Sequence, residues 1–314
     1  MLSRTADHLF WMARYTERAE NTARMLDVNY QTSLLPQSAE VAEQGWWAML
    51  DISELTQAYD HKYGLLHRDD VIDFMVRDMT NVSSIMSCLR AARENARAVR
   101  GSLTTEVWET MNQTWLEFRR LLREGALARD PSQLFEWVKY RSHLSRGVTV
   151  GTMLQDEAFH FIRIGSFLER ADNTARLLDV KFYRQEQAQS EHDAARDFYY
   201  WSAVLRSVSG FEIYRRVYSN VIKPDKVAEL LILRPDMPRS LSHCITRMLA
   251  NLKRVTNAQS GETLRRAGRL EAELAFGRID EILAEGLHPF LDGFLAEVAD
   301  LGSRISEDFL VPSA

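Results

Sequence analysis

The sequence contains few of the residues that interrupt helices or cross-link chains. Its 314 residues include 14 glycines, 7 prolines and 2 cysteines. Because glycine and proline are scarce, long helices can run without interruption. The two cysteines, Cys88 and Cys244, cannot build a disulfide framework, and we expect each to be a small buried apolar residue.

Lysine is also scarce. Six of the 39 basic residues are lysine, which leaves 33 arginines. The planar guanidinium of arginine pairs with carboxylates through two parallel hydrogen bonds. The excess of arginine over lysine has two explanations: a GC-rich genome, or an interior that contains many arginine–carboxylate pairs.

A large charge excess and a long apolar run are missing as well. The net charge is −5, which argues against a general nucleic-acid-binding domain because such domains are usually basic. No stretch of 18 apolar residues occurs, and the N-terminus carries charges where a signal peptide needs an apolar run. We therefore expect a cytoplasmic protein that binds neither membrane nor nucleic acid.

The chain contains an internal repeat. Residues 8–28 read HLFWMARYTERAENTARMLDV and residues 160–180 read HFIRIGSFLERADNTARLLDV, at a constant register of 152. Fainter matches follow at a register of 156, namely Ser84, Cys88 and Asn95 with Ser240, Cys244 and Asn251. The repeat predicts two tandem copies, residues 1–150 and 151–314, packed as one body.

Apolar spacing predicts the fold class. In the first copy of the repeated segment, apolar or small residues recur in steps of four and three, which is the helical period, at Met12, Thr16, Ala19, Ala23, Leu26 and Tyr30. No segment alternates as a strand does. We predict an all-α protein, a pseudo-two-fold helical bundle made from two copies of a roughly six-helix unit.

Local signals place some helix boundaries. Asp130 followed by Pro131 is typical of a helix start. Asn81 is predicted to start another helix. In the second copy, Asp236 and Pro238 are predicted to mark a similar helix start. The polar stretches 31–45 and 184–197 are predicted loops.

Each repeated helix carries a polar stripe of acids, amides and guanidiniums beside its apolar stripe. Catalysis by a glutamate pair is one interpretation, although no nucleophile, phosphate loop or metal motif accompanies the pair. The candidate residues are Glu17, Arg18, Glu20, Asn21, Arg24 and Asp27, with Glu169, Arg170, Asp172, Asn173, Arg176 and Asp179 in the second copy.

Two further interpretations of the stripes are open. In the first, the repeated helices pack together and form a buried ion-pair network, in which Glu17 faces Arg176 and Glu169 faces Arg24. In the second, the stripes line a cleft for a peptide terminus or an amino acid, and Arg24 and Arg176 clamp its carboxylate. We expect a network that is buried at its centre and open at the end where Glu20 and Asp172 lie.

Two other groups of residues are candidates for ligand contacts. A cationic helix face, either solvated or anion-binding, carries Arg90, Arg93, Asn95, Arg97 and Arg100. A di-metal bundle would need Glu-x-x-His twice. The pattern occurs at Glu157 and His160, but the first copy has Thr5 and His8 in those places. We expect no metal and no cofactor.

The repeated ERAENTAR-x-LDV and ERADNTAR-x-LDV segments resemble the alpha-E family of bacterial proteins, as does CLRAARENARAVR at 88–100. The resemblance covers essentially the whole chain. It implies that the Glu-Arg pairs correspond to Glu17-Arg18 and Glu169-Arg170, and that the arginine-rich helix corresponds to Arg93, Asn95, Arg97 and Arg100. One departure is NVSSI at 81–85, where the family pattern has an Asn-Pro helix start.

The resemblance also implies a genomic context. Members are encoded beside, or fused to, a circularly permuted ATP-grasp ligase, with a transglutaminase-like protease in the same clusters. It therefore implies an accessory subunit in peptide synthesis or modification, which binds the ligase or its peptide or amino-acid substrate. The alternatives are an enzyme that uses the Glu and Arg stripes, or a structural scaffold.

Overall fold

The computed structural model describes residues 1–36, 38–187 and 194–310. In these ranges the chain forms sixteen α-helices and one short 3-10 helix, and no strand is present. The predicted all-α class is confirmed. The chain divides into two compact units, Met1–Ser166 and Phe167–Ala314, so that the boundary falls inside a long helix.

The first unit holds eight complete helices. They are α1 (Ser3–Ser33), α2 (Ala39–Ile52), α3 (Thr56–Tyr63), α4 (Arg68–Val76), α5 (Ile85–Ala98), α6 (Thr105–Arg123), α7 (Ala126–Arg129) and α8 (Pro131–Thr152), with the 3-10 helix (Arg100–Ser102) between α5 and α6. Helix α1 packs against α5 and α8, and α6 packs against both of these. The core of the unit is therefore built around α1.

The second half of the chain starts with the long helix that crosses the unit boundary. Its helices are α9 (Glu157–Gln187), α10 (Ala194–Ser207), α11 (Phe211–Val217), α12 (Pro224–Ile232), α13 (Leu241–Leu252), α14 (Gly261–Phe276), α15 (Ile279–Glu285) and α16 (Leu287–Phe309). Within the second unit, α14 packs against α13 and α16.

The two halves repeat the same order of helices. Each starts with a helix of 31 residues, and each has a helix of 14 residues next. Hydrogen bonds recur as well. The hydroxyl of Tyr59 accepts from His67 N and donates to Leu65 O, and that of Tyr214 accepts from Lys223 N and donates to Val221 O. The pseudo-two-fold relation between the halves stays a prediction.

Several sequence predictions are wrong in detail. Eight helices per half replace the predicted six, because helices as short as α7 show no full apolar period. Helix α2 begins at Ala39, inside the predicted loop 31–45, since Ser38 caps it by accepting from Val41 N at 3.3 Å. The predicted loop 184–197 includes the end of α9 and the start of α10, while residues 188–193 lie outside the described residues.

Helix starts also differ from two of the predicted signals. The start at Asp130-Pro131 is confirmed, because Asp130 accepts from Gln133 N at 3.0 Å. The start at Asn81 is wrong: Ser84 caps α5, and Asn81 forms a turn with Ser83. The equivalent cap of α13 is Ser240, which lies after the predicted signal at Asp236 and Pro238. A serine that lies closer to the helix provides the cap in each case.

Helices α1 and α9 approach closely inside the first unit. A Cβ atom added at Gly165 would lie 2.4 Å from Phe10 O, a backbone atom that has no flexible end to move away. Glycine is therefore the residue that permits this helix crossing. The crossing lies at the start of α9, and the predicted packing of the Glu-Arg segments of the two helices stays a prediction.

We expect Gly165→Ala to lower the free energy of unfolding by about 1–3 kcal/mol, because the added methyl group overpacks the crossing. The matched control is Gly268→Ala, where an added Cβ meets nothing within 4 Å. Alanine there should leave stability equal or raise it by about 0.5–1 kcal/mol, since alanine is the better helix former. Thermal melts of both variants test this, and equal melting temperatures would contradict the close crossing.

Candidate functional site

The polar stripe of α1 is closed off by α8. Glu20 is 0% exposed, and its Oε1 accepts from Arg24 Nε at 2.8 Å and from Arg24 Nη2 at 2.7 Å. Its Oε2 accepts from Ser142 Oγ at 2.6 Å and from Arg146 Nη1. Both oxygens of a fully buried carboxylate therefore have charged partners, which offsets the cost of removing it from water.

Arg146 joins the two acids of the stripe. Its Nη1 lies 3.2 Å from Glu17 Oε2, and Glu17 is 2% exposed. The same nitrogen donates to Ser142 Oγ at 3.1 Å. We name this set, Glu17, Glu20, Arg24, Ser142 and Arg146, the charge network. It holds two carboxylates and two guanidiniums, so its formal charges balance.

An exposed imidazole covers the network. His143 Nε2 lies 3.2 Å from Arg24 Nη2, and His143 Nδ1 lies 2.6 Å from Arg146 Nη2. A guanidinium can only donate, and a neutral imidazole has one acceptor nitrogen. The ring therefore accepts a hydrogen bond from only one of the two arginines at a time.

A narrow cleft opens beside the network, between α1, α8 and the start of α9. Its enclosed part has room for about one water molecule. Charged and hydroxyl side chains line it together with Met12, Ala13 and Ile162, the polar ones being Thr16, Glu17, Ser145, Arg146, Thr149, Arg163 and Ser166. Its cationic groups are thus Arg146 and Arg163, neither of which is among the predicted site residues.

The remaining predicted residues of α1 have separate roles. Asp27 is buried, and it accepts from Lys139 Nζ at 2.7 Å and from Gln31 Nε2 at 3.0 Å. Asn21 is buried beside the network. Arg18, the arginine of the first Glu-Arg pair, lies over the ring of Tyr15 with 5.8 Å to the centroid.

In the second unit the stripe is more open. Arg176 Nε donates to Asp172 Oδ2 at 2.9 Å, and both side chains are about a quarter exposed. Arg170 is buried, lies over the ring of Phe167 and donates to Pro238 O at 3.3 Å. Glu169 is buried, whereas Asn173 is half-buried.

Further along α9, Asp179 Oδ1 lies 2.5 Å from His288 Nδ1 of α16. The equivalent acid of the first copy, Asp27, pairs with Lys139 of α8. The last acid of each stripe is therefore bound by the final long helix of its own half.

The final long helices of the two halves differ at the positions where α8 meets the charge network. At the register of 156, Ser142 corresponds to Val298 and Arg146 to Gly302. Neither replacement can hydrogen-bond a carboxylate through its side chain. The expectation of an open end at Glu20 is therefore wrong, because α8 covers that end, whereas Asp172 is partly exposed as expected.

Sequence reasoning missed the residues of α8. Ser142 and Arg146 are polar, whereas the second half has the buried Val298 and Gly302 at the equivalent positions. This mismatch is the sequence signal that could have indicated α8 as the source of partners for the stripe. The described partners of Glu17 and Glu20 come from within the first unit. The predicted pairs Glu17 with Arg176 and Glu169 with Arg24 stay predictions.

The predicted anion patch is partly neutralised. Glu94 lies between Arg93 and Arg97, and the hydrogen bond from Arg93 is the main reason that the pKa of Glu94 lies below its usual value. Asn95 turns towards α1, where its Oδ1 lies 2.7 Å from His8 Nδ1. Arg90 and Arg100 are exposed.

The ring of Trp108 lies between two arginines of this face. Arg93 and Arg100 stand over it with 5.7 Å and 5.5 Å to the centroid. Such cation–π contacts hold the guanidiniums in place. This face is therefore an ordered, partly paired surface.

Metal ligands do not gather in the part of the chain that the structure describes. Among those residues, no three or more His, Cys, Asp or Glu side chains are placed to hold a metal ion. Within the same ranges, no helix is both long enough and apolar enough to cross a membrane.

The fold and the repeated Glu-Arg helix define an all-helical protein built on this motif. A family model described as "a predicted alpha-helical domain with a conserved ER motif" matches residues 1–310. The chain belongs to this family, Alpha-E. No solved structure matches it.

Related proteins occur in mycobacteria. An uncharacterized protein of Mycobacterium bovis is 26% identical over 328 residues, which cover 94% of this chain and 35% of the relative. Uncharacterized proteins of Mycobacterium tuberculosis strains match to the same extent. The chain therefore spans about a third of the length of these relatives.

We expect Glu20→Ala to cost about 3–5 kcal/mol of stability, because it removes the buried carboxylate that pairs with Arg24 and Arg146. The control is Glu262→Ala, which removes a partly exposed carboxylate paired with Arg265 and Arg266. The control should melt as the wild type does, since exposed pairs contribute little. Denaturant unfolding measures both. A wild-type midpoint for Glu20→Ala would show that the network is not a structural element.

Proposed function

We propose that the chain is a non-catalytic accessory subunit of an ATP-grasp-type ligase that makes or modifies peptides. The observation that carries the proposal is the length of the mycobacterial relatives, in which the matched region is 35% of the protein. There, an Alpha-E-like region is joined to nearly twice its own length of further sequence. A region that is fused to others in one organism commonly works bound to separate partners elsewhere. The resemblance to the alpha-E family suggests an ATP-grasp ligase as the partner, with a transglutaminase-like protease as a second one.

The charge network supports a structural rather than a catalytic use of the Glu-Arg helix. Glu20 and Arg24 are buried, and their described partners belong to the protein itself. A catalytic acid or base must reach a substrate proton. The alternative of an enzyme that uses Glu20 would require α8 to move away from α1.

A second candidate function is binding of a small carboxylate at the cleft, such as an amino acid or a peptide C-terminus. Arg146 and Arg163 beside hydroxyl groups favour it, because guanidiniums bind carboxylates through two parallel hydrogen bonds. In this candidate function the carboxylate is bound by Arg146 of α8 and Arg163 of α9, whereas the sequence predicted Arg24 and Arg176. The narrowness of the cleft limits the ligand to a terminal carboxylate at its mouth.

We expect the chain to co-purify with the ATP-grasp ligase of its own organism and to change the rate of that ligase, while the isolated chain hydrolyses no ATP. The measurement is ligase turnover with and without the chain. An Arg163→Ala variant separates the two candidate functions. It should leave binding of the ligase intact, and it should abolish any change in ligase turnover that an added amino acid or peptide causes through its carboxylate. Nucleotide turnover by the isolated chain that Glu17→Ala removes would contradict the accessory role.

A further inference from the structure

The cleft beside the charge network has two walls with different hydrogen-bonding character. Its enclosed part has room for about one water molecule. Helix α9 supplies Arg163 and Ser166, whose side chains can both donate hydrogen bonds. Helices α1 and α8 supply most of the oxygen atoms that can accept hydrogen bonds, on Thr16, Glu17, Ser145 and Thr149.

The threonines of the second wall can only accept hydrogen bonds from a group in the cleft. Thr16 Oγ1 donates to Met12 O at 2.8 Å, and Thr149 Oγ1 donates to Ser145 O at 2.8 Å. A hydroxyl group has one proton to donate and two lone pairs with which to accept. Because each proton is used inside its own helix, the lone pairs remain for a ligand. The ionised carboxylate of Glu17 is likewise an acceptor only.

The wall formed by α9 fits a carboxylate. Ser166 is 7% exposed, and its hydroxyl has no hydrogen-bond partner among the residues that the structure describes. A buried hydroxyl without a partner is costly, so a bound acceptor stabilises it. Arg163 lies three residues earlier on the same face of α9, and its guanidinium can hold a carboxylate through two parallel hydrogen bonds.

The charges and the acceptors of the lining together select a zwitterion. One carboxylate, Glu17, and two guanidiniums, Arg146 and Arg163, line the cleft. A ligand with only a carboxylate matches the excess of positive charge but leaves the acceptors of α1 and α8 unpaired. A ligand with only an ammonium group pairs these acceptors but adds positive charge. An ammonium group has three donors and no acceptor, and it is close to water in size.

We propose that the cleft binds a free α-amino acid, with its ammonium group enclosed between α1 and α8 and its carboxylate at the mouth on Arg163 and Ser166. Thr16, Glu17 and Thr149 accept hydrogen bonds from the ammonium group. The proposal rests on the second candidate function, carboxylate binding at the cleft, and names the class of ligand. Since the enclosed part holds one group of this size, the side chain of the amino acid stays outside.

The first test compares four small ligands on the full chain by isothermal titration calorimetry at pH 7. Acetate lacks the ammonium group of glycine, glycinamide lacks its carboxylate, and glycylglycine separates the two charges by a peptide bond. We expect glycine to bind saturably, and about tenfold or more tightly than each of the other three, because a hydrogen bond to a charged group is lost in each comparison.

The second test removes one wall at a time. Thr149→Val deletes an acceptor at nearly constant shape, and it should lower the affinity for glycine about tenfold while it changes that for acetate little. Arg163→Ala should weaken glycine more than glycinamide. The matched control is Thr152→Val, because Thr152 Oγ1 donates to Val148 O in the same way but lies outside the lining. It should bind glycine as the wild type does.

Circular dichroism establishes that each variant is folded, and Thr16→Val replaces Thr149→Val if that variant is not. A lack of saturable glycine binding would overturn the proposal and leave the cleft as a site for water only. Glycylglycine that binds as tightly as glycine would overturn it in favour of a peptide N-terminus. Equal losses of glycine affinity in Thr149→Val and Thr152→Val would also overturn it.

Two results separate this proposal from the proposed function. Acetate that binds as tightly as glycine would overturn the amino-acid site and leave carboxylate binding at the cleft in place. Glycine binding with the expected selectivity supports the amino-acid site, whether or not the ligase co-purifies. Failure of the ligase to co-purify would then contradict the accessory role alone.

Discussion

The buried carboxylate of Glu20 is the constraint on which the first unit depends. A fully buried carboxylate is costly unless it is paired and hydrogen-bonded, and Glu20 obtains its partners from two helices, Arg24 of α1 and both Ser142 and Arg146 of α8. These contacts fix the axial position of α8 along α1. The position of α8 in turn sets the cleft between α1, α8 and the start of α9.

The two halves have the same order of helices but different residues on their final long helices. The final long helix of the first half supplies polar partners to the stripe it covers, whereas α16 has Val298 and Gly302 in the equivalent places. On the outer face the difference is reversed: the exposed residues of α8 between Tyr140 and Gly151 include no Asp, Glu, Lys or Arg, whereas α16 has Asp300 and Glu307 in the equivalent places. The final long helices of the two halves thus differ at both faces, although the order of helices in the halves is the same.

The sequence was sufficient for the fold class and for the existence of the polar stripe, because both follow from periodicity and from the 152-residue register. It was insufficient for the partners of the stripe. The contact between Glu20 and Arg146 joins residues 126 apart, and no local pattern specifies such a pairing. Short helices and serine caps were also missed, since each depends on one or two residues rather than on a repeated spacing.

The central claim is that α8 neutralises the acids of the first Glu-Arg helix and thereby fixes the unit. A double-mutant cycle between Glu20→Gln and Arg146→Met, followed by denaturant unfolding, tests it most directly. The account requires a coupling energy in the range of about 1–3 kcal/mol between the two substitutions, as expected for residues in one buried network. Additive effects of the two substitutions would contradict the account.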